Sequence, residues 1–529
     1  MKRDLPTTDD MTDDISDDRT DDTAHDASTA RVQRLPVAGH AGATHGAHLL
    51  LGVQSASAAR QVLRALRASG LLAFQPMRQW LERGHGEPHT ARRHEAARAA
   101  IDIGFTFDGL KALGLADRWL EPCALKARAF SEGPARRAGR VGDAGASAPS
   151  RWEAAFQPRA TQLVLTLHGH DVASLNQARQ TLVALPDFGA AFTLRAELLA
   201  ARLSGPAPAD GAPPRATSFE HFGYRDGIAR PRFTPQASAH ESTAAPGAAS
   251  ALGELLLGHP NDLGVDPWDF RADAVRQGSA EIDPTEEPHR TRAELTRFYR
   301  NGCFGVLRKM RQDVAAFEHF VQHAADALLA RLHAPPGAPA THRLPNADQA
   351  RNYIKAQLCG RWPSGQVFRA EAGYIEPPGE DLALTDYPRD PQAPQRACPA
   401  FGSHVRRMNP RGDPVVPARR RVLVRRGMPY VDGADRGLLG LFFCASIEDQ
   451  FEHLLGEWGN KNPMGPDNAG TSKDPLIGNH EDPGAAFEIW LPDGRALHLG
   501  FDRPFVQTRG SLYAFYPSEY AFNCLCREP

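Results

Sequence analysis

The stretch Ala47-His48-Leu49-Leu50-Leu51-Gly52-Val53, with the residues that follow it, decides the fold. The apolar run is typical of a buried strand, and residues 56–70 (ASAARQVLRALRASG) have apolar positions at helical spacing and end on a glycine. The same succession returns at 161–168 (TQLVLTLH), followed by helical spacing over about 171–184. The first half of the chain therefore predicts two strand–helix units.

The second half repeats this theme. Strand-like segments are Cys303–Leu307 and Gly437–Ala445, each followed by a helical pattern, over Gln312–Leu332 and Ile447–Leu455. A last strand is predicted at Ser511–Tyr516. Four strand–helix units in two pairs indicate a duplicated α+β sandwich, although the sequence itself shows no clear repeat.

Composition limits the classes of function. The chain has 529 residues, of which 41% are hydrophobic and 23% are charged, as in ordinary globular proteins of two to four domains. The net charge of -2 gives no general electrostatic case for nucleic acid or an anionic membrane. No stretch approaches the roughly 20 apolar residues of a membrane span.

The cysteines and the N-terminal residues bear on location. The seven cysteines are scattered and form no CxxC pair, which argues against a zinc ribbon and favours a reducing compartment. The first 26 residues contain ten aspartates and lack the apolar core of a signal peptide. We therefore expect a cytoplasmic protein whose residues 1–34 form an acidic, disordered leader.

The first candidate for chemistry is the segment Phe222–Pro231, in which Gly223 and Gly227 bracket Asp226. Asp-Gly is a common turn pair, so a simple tight turn is the alternative. In the functional interpretation, the glycines let the backbone approach a flat ligand, and Asp226 moves a proton.

Two further segments carry basic residues. His404 lies in Gly402–Arg411, whose polar and basic character is unusual for a core and would suit an anionic cofactor with carboxylate arms. A lone histidine is nevertheless more often structural. Arg425 follows a short apolar strand within Arg421–Tyr430, and a strand end anchored by surface arginines is the alternative.

Other familiar sites are missing from the sequence. It contains neither HExxH nor Gly-x-Ser-x-Gly, and its approximations to nucleotide loops lack the lysine or the strand–helix context. His168-Gly-His170 is a possible metal pair, but it lies at a predicted strand end without an obvious third ligand.

Taken together, these segments resemble a known family. Gly223-Tyr-Arg-Asp226-Gly227 resembles the GxxDG motif of dye-decolourising peroxidases. The segment from Cys398 to Arg411 resembles the family's proximal-histidine segment, and Arg425-Arg-Gly-Met-Pro-Tyr430 the one that carries its distal arginine. Further matches to the larger, fungal-type branch extend the resemblance to roughly residues 35–529; they are Gly253–Leu263, Asn301–Asp313 and Gly360–Gly365.

The resemblance implies an α+β fold of two ferredoxin-like domains with one haem b, held mainly by the second. The first domain would span 35–232 and end in the GxxDG loop, and the second would span 233–529 and carry the histidine. His404 would be the axial iron ligand, Asp226 the distal acid–base residue and Arg425 the distal arginine. Further cofactor contacts are expected from Gly223, Gly227, Ile228 and Arg411, the last to a haem propionate.

A peroxidase of this kind needs a carboxylate that accepts the other ring N–H of the proximal histidine and makes the ligand more basic. Asp502 is the predicted carboxylate, and Asp449 is the alternative. An aspartate as the distal acid–base residue also predicts an acidic pH optimum.

The resemblance implies reduction of hydrogen peroxide and oxidation of dyes, phenols or other aromatic donors through a ferryl intermediate. Surface aromatic residues could relay electrons from bulky donors, with Trp362, Trp458 and Tyr430 as candidates, although most such aromatic residues simply belong to the core. The alternatives are a haem-binding protein for storage or iron release, a non-haem binding module, and a haem oxygenase-type activity. We expect neither nucleic acid nor a membrane as a partner, and the oligomeric state stays open.

Overall fold

A computed structural model describes most of the chain. The described residues are 30–40, 42–82, 99–205, 218–228, 231–235, 249–270, 287–332, 345–369, 373–379, 382, 400, 402–409, 421–461, 473–482, 485–491 and 495–527.

Strands make up the centre of the molecule. They are β1 Arg31–Gln33, β2 His45–Val53, β3 Phe74–Pro76, β4 Ala100–Phe105, β5 Leu163–Gly169, β6 Phe192–Ala201, β7 Phe233–Thr234, β8 Ser250–Ala251, β9 Cys303–Gln312, β10 Val424–Arg425, β11 Met428–Asp432, β12 Asp435–Cys444, β13 Ala486–Trp490, β14 Ala496–Gly500 and β15 Val506–Tyr516.

Helices cover this centre. The α-helices are Arg34–Val37, Ala56–Ala68, Met77–Glu82, Phe107–Ala112, Asp117–Lys126, Arg128–Glu132, Pro134–Arg137, Val172–Val183, Phe188–Ala191, Glu287–Tyr299, Val314–Arg331, Ala347–Cys359, His404–Met408 and Glu519–Cys526. Wider π-helical turns form Ile447–Glu452 and Leu454–Gly459. Short 3₁₀ turns occur at Ala138–Val141, Gly145–Ser147, Pro149–Arg151, Ala154–Phe156 and Leu252–Glu254.

One nine-stranded sheet joins both halves of the chain. Its order is β10-β12-β9-β15-β4-β5-β2-β6, and β11 extends β10 along the outer side of β12. All these pairings are antiparallel. In each half the strands lie in the order second, third, first, fourth, with helices in the connections, which is the pattern of a β-α-β-β-α-β unit. The predicted duplication therefore has a counterpart in the strand topology.

The two halves meet where β4 runs beside β15. Phe105 is the partner of Phe515 at this junction. Both side chains are buried in one apolar cluster that also contains Leu49 of β2 and Phe304 of β9. The halves thus share a core and do not form separate sheets.

A second apolar cluster lies beside the C-terminal half of the sheet. The helices Val314–Arg331 and Ala347–Cys359 pack here with the β13–β14 hairpin, burying Phe317, Ile354 and Phe487. The GxxDG segment reaches this cluster through Phe222, whose ring lies 4.3 Å from that of Phe317. This contact brings a loop that follows the first half against the second half.

The predicted strand–helix units are confirmed, and with them the α+β class. Two long strands were missed, β4 and β6, because Asp102 and Gly104 interrupt one and polar residues such as Arg195 and Glu197 weaken the pattern of the other. The predicted leader lies almost entirely outside the described residues, and β1 already begins at Arg31. The domain boundary at 232/233 stays a prediction.

Within the described part of the chain, no helix is both long enough and apolar enough to cross a membrane.

Candidate active site

One cavity of about 400 Å³ brings together the three central residues of the sequence analysis, His404, Asp226 and Arg425. It lies between residues 220–228 and 231–232, the helix His404–Met408, and the strands β9, β10 and β12. Gly227 and Ile228 also line it, whereas Gly223, expected with them as a cofactor contact, is not among its lining residues.

The helix that begins at His404 is held in place by a buried arginine, Arg407. Arg407 donates hydrogen bonds to the carbonyls of Gly402, Trp458 and Lys461 at 3.0, 2.9 and 2.8 Å. Burial lowers the pKa of Arg407 to about 10, partly offset by the charge of Asp474. This side chain ties the histidine helix to the π-helical turns of Leu454–Gly459.

His404 is paired with Asp474. Its Nδ1 lies 3.0 Å from Oδ2 of Asp474, whose side chain is fully buried. The other carboxylate oxygen accepts the backbone N–H groups of Leu476 and Ile477 at 2.9 and 3.1 Å. An ionised Asp474 makes Nδ1 the protonated nitrogen, so the lone pair of Nε2 is available to bind a metal ion.

The charge state of Asp474 follows from its surroundings. Burial alone would raise the pKa of this carboxyl, but His404, Arg407 and the N–H of Ile477 outweigh it, and the pKa lies below its usual value. Asp474 is therefore ionised at neutral pH, which favours a strongly donating imidazole.

The prediction that Asp502 or Asp449 supports His404 was wrong. Asp502 lines a separate pocket beside His319 and His498. Asp449 belongs to the π-helical turn Ile447–Glu452, where its carbonyl accepts from Arg421. Asp474 could not be singled out from the sequence, because it follows a long turn-rich stretch with no strand or helix pattern to place it.

The loop that carries Asp226 is held by backbone contacts. The N–H of Asp226 donates to the carbonyl of Ser218 at 2.8 Å, and that of Arg225 donates to Pro363 at 2.9 Å. Gly223 and Gly227 have φ values of +89° and +77°, a conformation that side chains disfavour. The carboxylate of Asp226 is exposed to the cavity, and its Oδ1 accepts the N–H of Gly227 at 2.6 Å.

Glu220 was missed by the sequence analysis and organises this loop. Its two carboxylate oxygens accept the N–H groups of Phe222 and Tyr224 at 3.0 and 2.9 Å, and it also accepts from Gln312 of β9. Burial raises the pKa of Glu220, although these donors partly offset it. The only available signal was its place three residues before the GxxDG motif, which predicts no role by itself.

Arg425 and Arg426 follow one another but have different surroundings. Arg425 pairs with Phe442 across the β10–β12 ladder, and its exposed side chain lines the cavity. Arg426 instead donates to the carbonyls of Leu35, Pro36 and Val37. Of these two neighbours, Arg425 lines the cavity, whereas Arg426 anchors the N-terminal helix.

The predicted electron relays are core residues. Trp362, Trp458 and Tyr430 are 1%, 5% and 3% exposed, so none of them presents a surface to a bulky donor. The alternative, that these aromatic residues belong to the core, is confirmed by their burial. Arg411, the predicted propionate contact, lies outside the described residues.

The chemistry of the cavity fits a haem. Its walls are mainly apolar, and its positive groups could meet carboxylate arms while His404 offers a nitrogen to iron. The apolar lining includes Ile228, Val405, Leu423, Leu438, Phe442, Phe451 and Leu455, and the arginines are Arg225, Arg232, Arg308, Arg361, Arg421 and Arg425. Arg308 is already neutralised by the buried Asp143, with a nitrogen–oxygen distance of 2.8 Å.

Comparison with known proteins assigns the family. Residues 74–198 match the model described as the DyP dimeric alpha+beta barrel domain. The chain is 25% identical over 460 residues to the dye-decolorizing peroxidase msp1 of Mycetinis scorodonius, covering 79% of this chain and 75% of that protein. It is 27% identical over 454 residues to the dye-decolorizing peroxidase of Exidia glandulosa, covering 79% and 74%. Residues 74–198 thus match a DyP-type domain, and 79% of the chain is similar in sequence to dye-decolorizing peroxidases.

Solved structures agree with this DyP-type fold. An ancestral D-type dye-decolorizing peroxidase matches with a TM-score of 0.67 at 22% identity, covering 94% of this chain and 99% of the other. A dye-decolorizing peroxidase in complex with 2,6-dimethoxyphenol matches with a TM-score of 0.63 at 21% identity and the same coverage. The predictions of the family and of an enzyme of the peroxidase class are confirmed.

Proposed function

We propose that this chain is a haem-dependent peroxidase that reduces hydrogen peroxide and oxidises phenols, dyes or other aromatic donors. The observation that carries the proposal is that the His404–Asp474 pair opens onto the same cavity as Asp226 and Arg425. A nitrogen ligand, a carboxylate and a guanidinium are the groups that this reaction needs.

His404 would bind haem b through Nε2. The haem, when bound, supplies a redox-active iron with one position open to peroxide. Asp474 holds the ring in one orientation and increases its basicity, because an ionised carboxylate accepts the Nδ1 proton. The neighbouring apolar side chains exclude water from the cofactor.

Asp226 would move the proton. Peroxide must lose a proton from one oxygen and gain one on the other before the O–O bond breaks, and a single carboxylate can accept it and return it. Asp226 is suited to this because its own N–H is bonded to the carbonyl of Ser218, while its carboxylate, one oxygen of which accepts the N–H of Gly227, faces the cavity.

Arg425 would stabilise the negative charge that develops on the departing oxygen. Its guanidinium stays protonated at any working pH, and a fixed donor aimed at such a charge typically contributes about 3–4 kcal/mol. In the complete reaction, peroxide takes up two electrons and two protons to give two waters, and each donor molecule supplies one electron.

The aromatic donor is proposed from the relatives. Curated relatives are dye-decolorizing peroxidases, and a protein of similar fold forms a complex with 2,6-dimethoxyphenol. A cytoplasmic location also belongs to the proposal. It is supported by the six described cysteines, which are all free thiols.

The test uses purified full-length protein supplied with haem. We expect a Soret band, a spectral change on adding peroxide, and steady-state oxidation of 2,6-dimethoxyphenol that is faster at acidic pH. Asp226→Asn should retain haem and lose most of this turnover. Bound haem without turnover would favour the storage alternative, and the absence of haem binding would contradict the proposal.

A further inference from the structure

A second group of ligand-type side chains lies outside the active-site cavity. His40, Asp102 and His168 each offer one nitrogen or oxygen, and these three atoms lie within 4.8 Å of one another. Nε2 of His40 is 2.7 Å from Oδ2 of Asp102, and the rings of His40 and His168 are 4.9 Å apart. Two imidazoles and one carboxylate thus converge on a small volume.

The sheet determines two of these positions. Asp102 of β4 is opposite Thr166 of β5, and His168 is opposite Ala100, so the two side chains are diagonal neighbours on one face. Gly46 of β2 is opposite His168 on its other side and contributes no side chain. A Cβ at Gly46 would meet Sδ of Met428 at 3.4 Å and the ring of His168 at 3.8 Å, so Met428 is the nearest side chain at this position.

The N-terminal segment supplies the third position. His40 follows the short helix Arg34–Val37, and the N–H of Leu35 in that helix donates to Oδ1 of Asp102 at 3.0 Å. Asp102 is fully buried, and the side chain of His40 is 8% exposed. One carboxylate therefore already connects this segment to the sheet through both of its oxygens.

His168 provides an independent observation. Its Nδ1 is buried and has no hydrogen-bond partner among the described residues. Burying a polar atom without a hydrogen-bond partner destabilises the fold, so such an atom indicates a ligand, an ion or a water molecule at that position.

We propose that His40, Asp102 and His168 bind a divalent transition-metal ion of the zinc type at a structural site. Two imidazole nitrogens and one carboxylate oxygen are ligands that zinc accepts, with a water molecule in the fourth position. The two nitrogen ligands favour such an ion over magnesium or calcium, which prefer oxygen ligands.

The bound ion would fasten the N-terminal segment to β4 and β5. Because the three residues do not line the active-site cavity, loading the site should raise thermal stability and leave peroxidase turnover unchanged. The inference therefore does not depend on the proposed function.

Another histidine pair serves as a matched control. His319 and His323 face each other on the helix Val314–Arg331 with their Nε2 atoms 2.9 Å apart, but both are exposed. They also belong to no group of three ligands among the described residues. Variants of this pair test whether any metal uptake is merely a surface effect.

The experiment titrates Zn²⁺ into haem-loaded, full-length protein previously treated with a chelator. Calorimetry measures the zinc affinity, and the melting temperature measures the stability. We expect one tight site, with affinity weakened at least tenfold by His168→Gln and by Asp102→Asn but not by His319→Ala. Asp102→Asn keeps an oxygen for the Leu35 N–H, which limits damage to the fold.

Three results would overturn the inference: no tight zinc binding, unchanged affinity in both site variants, or loss of binding in His319→Ala. If the site variants fail to fold, X-ray absorption at the zinc edge of the wild-type protein decides the matter. Fewer than two imidazole ligands would then contradict the site.

Discussion

At the scale of single residues, the orientation of His404 depends on a carboxylate that is itself restrained. Asp474 uses one oxygen for two backbone N–H groups and the other for the imidazole, so it cannot turn away without leaving buried donors unpaired. The orientation of the His404 ring, the proposed haem ligand, is thereby set without a cofactor.

We expect Asp474→Asn to slow the reaction with peroxide about 10- to 100-fold while haem still binds, because the imidazole becomes less basic. Stopped-flow absorbance measures the rate, and a redox titration should show a higher iron potential. Asp502→Asn is the control, since Asp502 lies in another pocket. Equal rates for the two variants would remove Asp474 from this role.

Arg425→Leu should reduce the second-order rate with peroxide by about 10²- to 10³-fold, because the departing oxygen loses its positive partner. Haem content should not change. Arg436→Leu, at an exposed arginine of β12 outside the cavity lining, is the matched control. An unchanged rate in Arg425→Leu would show that another group stabilises the charge.

At the scale of elements, the GxxDG loop depends on Glu220. Its removal in Glu220→Ala leaves the N–H groups of Phe222 and Tyr224 without acceptors, at a cost of about 1–3 kcal/mol each. We expect a lower melting temperature, faster hydrogen exchange over residues 218–228, and slower turnover because Asp226 is no longer held in place. Glu121→Ala, at an exposed helical position, should change none of these. Wild-type exchange in the loop of Glu220→Ala would contradict this role.

Local motifs predicted part of the site but not the contacts between distant segments. His404, Asp226 and Arg425 each lie in a recognisable motif, so the sequence could name them. Asp474 meets His404 across 70 residues, and His40 meets Asp102 across 62. Such pairs depend on how distant segments pack in the tertiary structure, which the hydrophobic periodicity of the sequence does not predict.

At the scale of the whole molecule, buried histidines link stability to pH. Burial lowers the pKa of His48 and of His259 to about 4, the latter despite a hydrogen bond to Asn301. The unfolded chain therefore takes up protons near pH 6.5 that the folded chain refuses until about pH 4. The resulting stability is complete above pH 6.5 and is lost as the pH falls towards 4.

We expect the free energy of unfolding to fall by about 2 kcal/mol per buried histidine between pH 7 and pH 4.5. Urea unfolding at both pH values measures this. His48→Gln should flatten the dependence, whereas His498→Gln, at a largely exposed histidine, should not. Equal pH dependence in the wild type and His48→Gln would refute the assignment.

The fold was predictable to the level of its repeating units. Apolar runs in the sequence located β2, β5, β9 and β12, because these strands are largely buried on both faces. The joining of β4 to β15 was not predictable, since it rests on two phenylalanines 410 positions apart in the chain.

The two matching β-α-β-β-α-β units in one continuous sheet have a consequence for how this protein can change. Each unit packs against its counterpart through the shared core, but the two contribute unequally to the cavity. Most of the lining residues belong to the C-terminal unit, whereas the N-terminal unit supplies few, among them Val141 and Asp143. Variation among descendants of this chain should therefore accumulate unevenly, with the N-terminal unit the more permissive partner wherever the shared aromatic contact is kept.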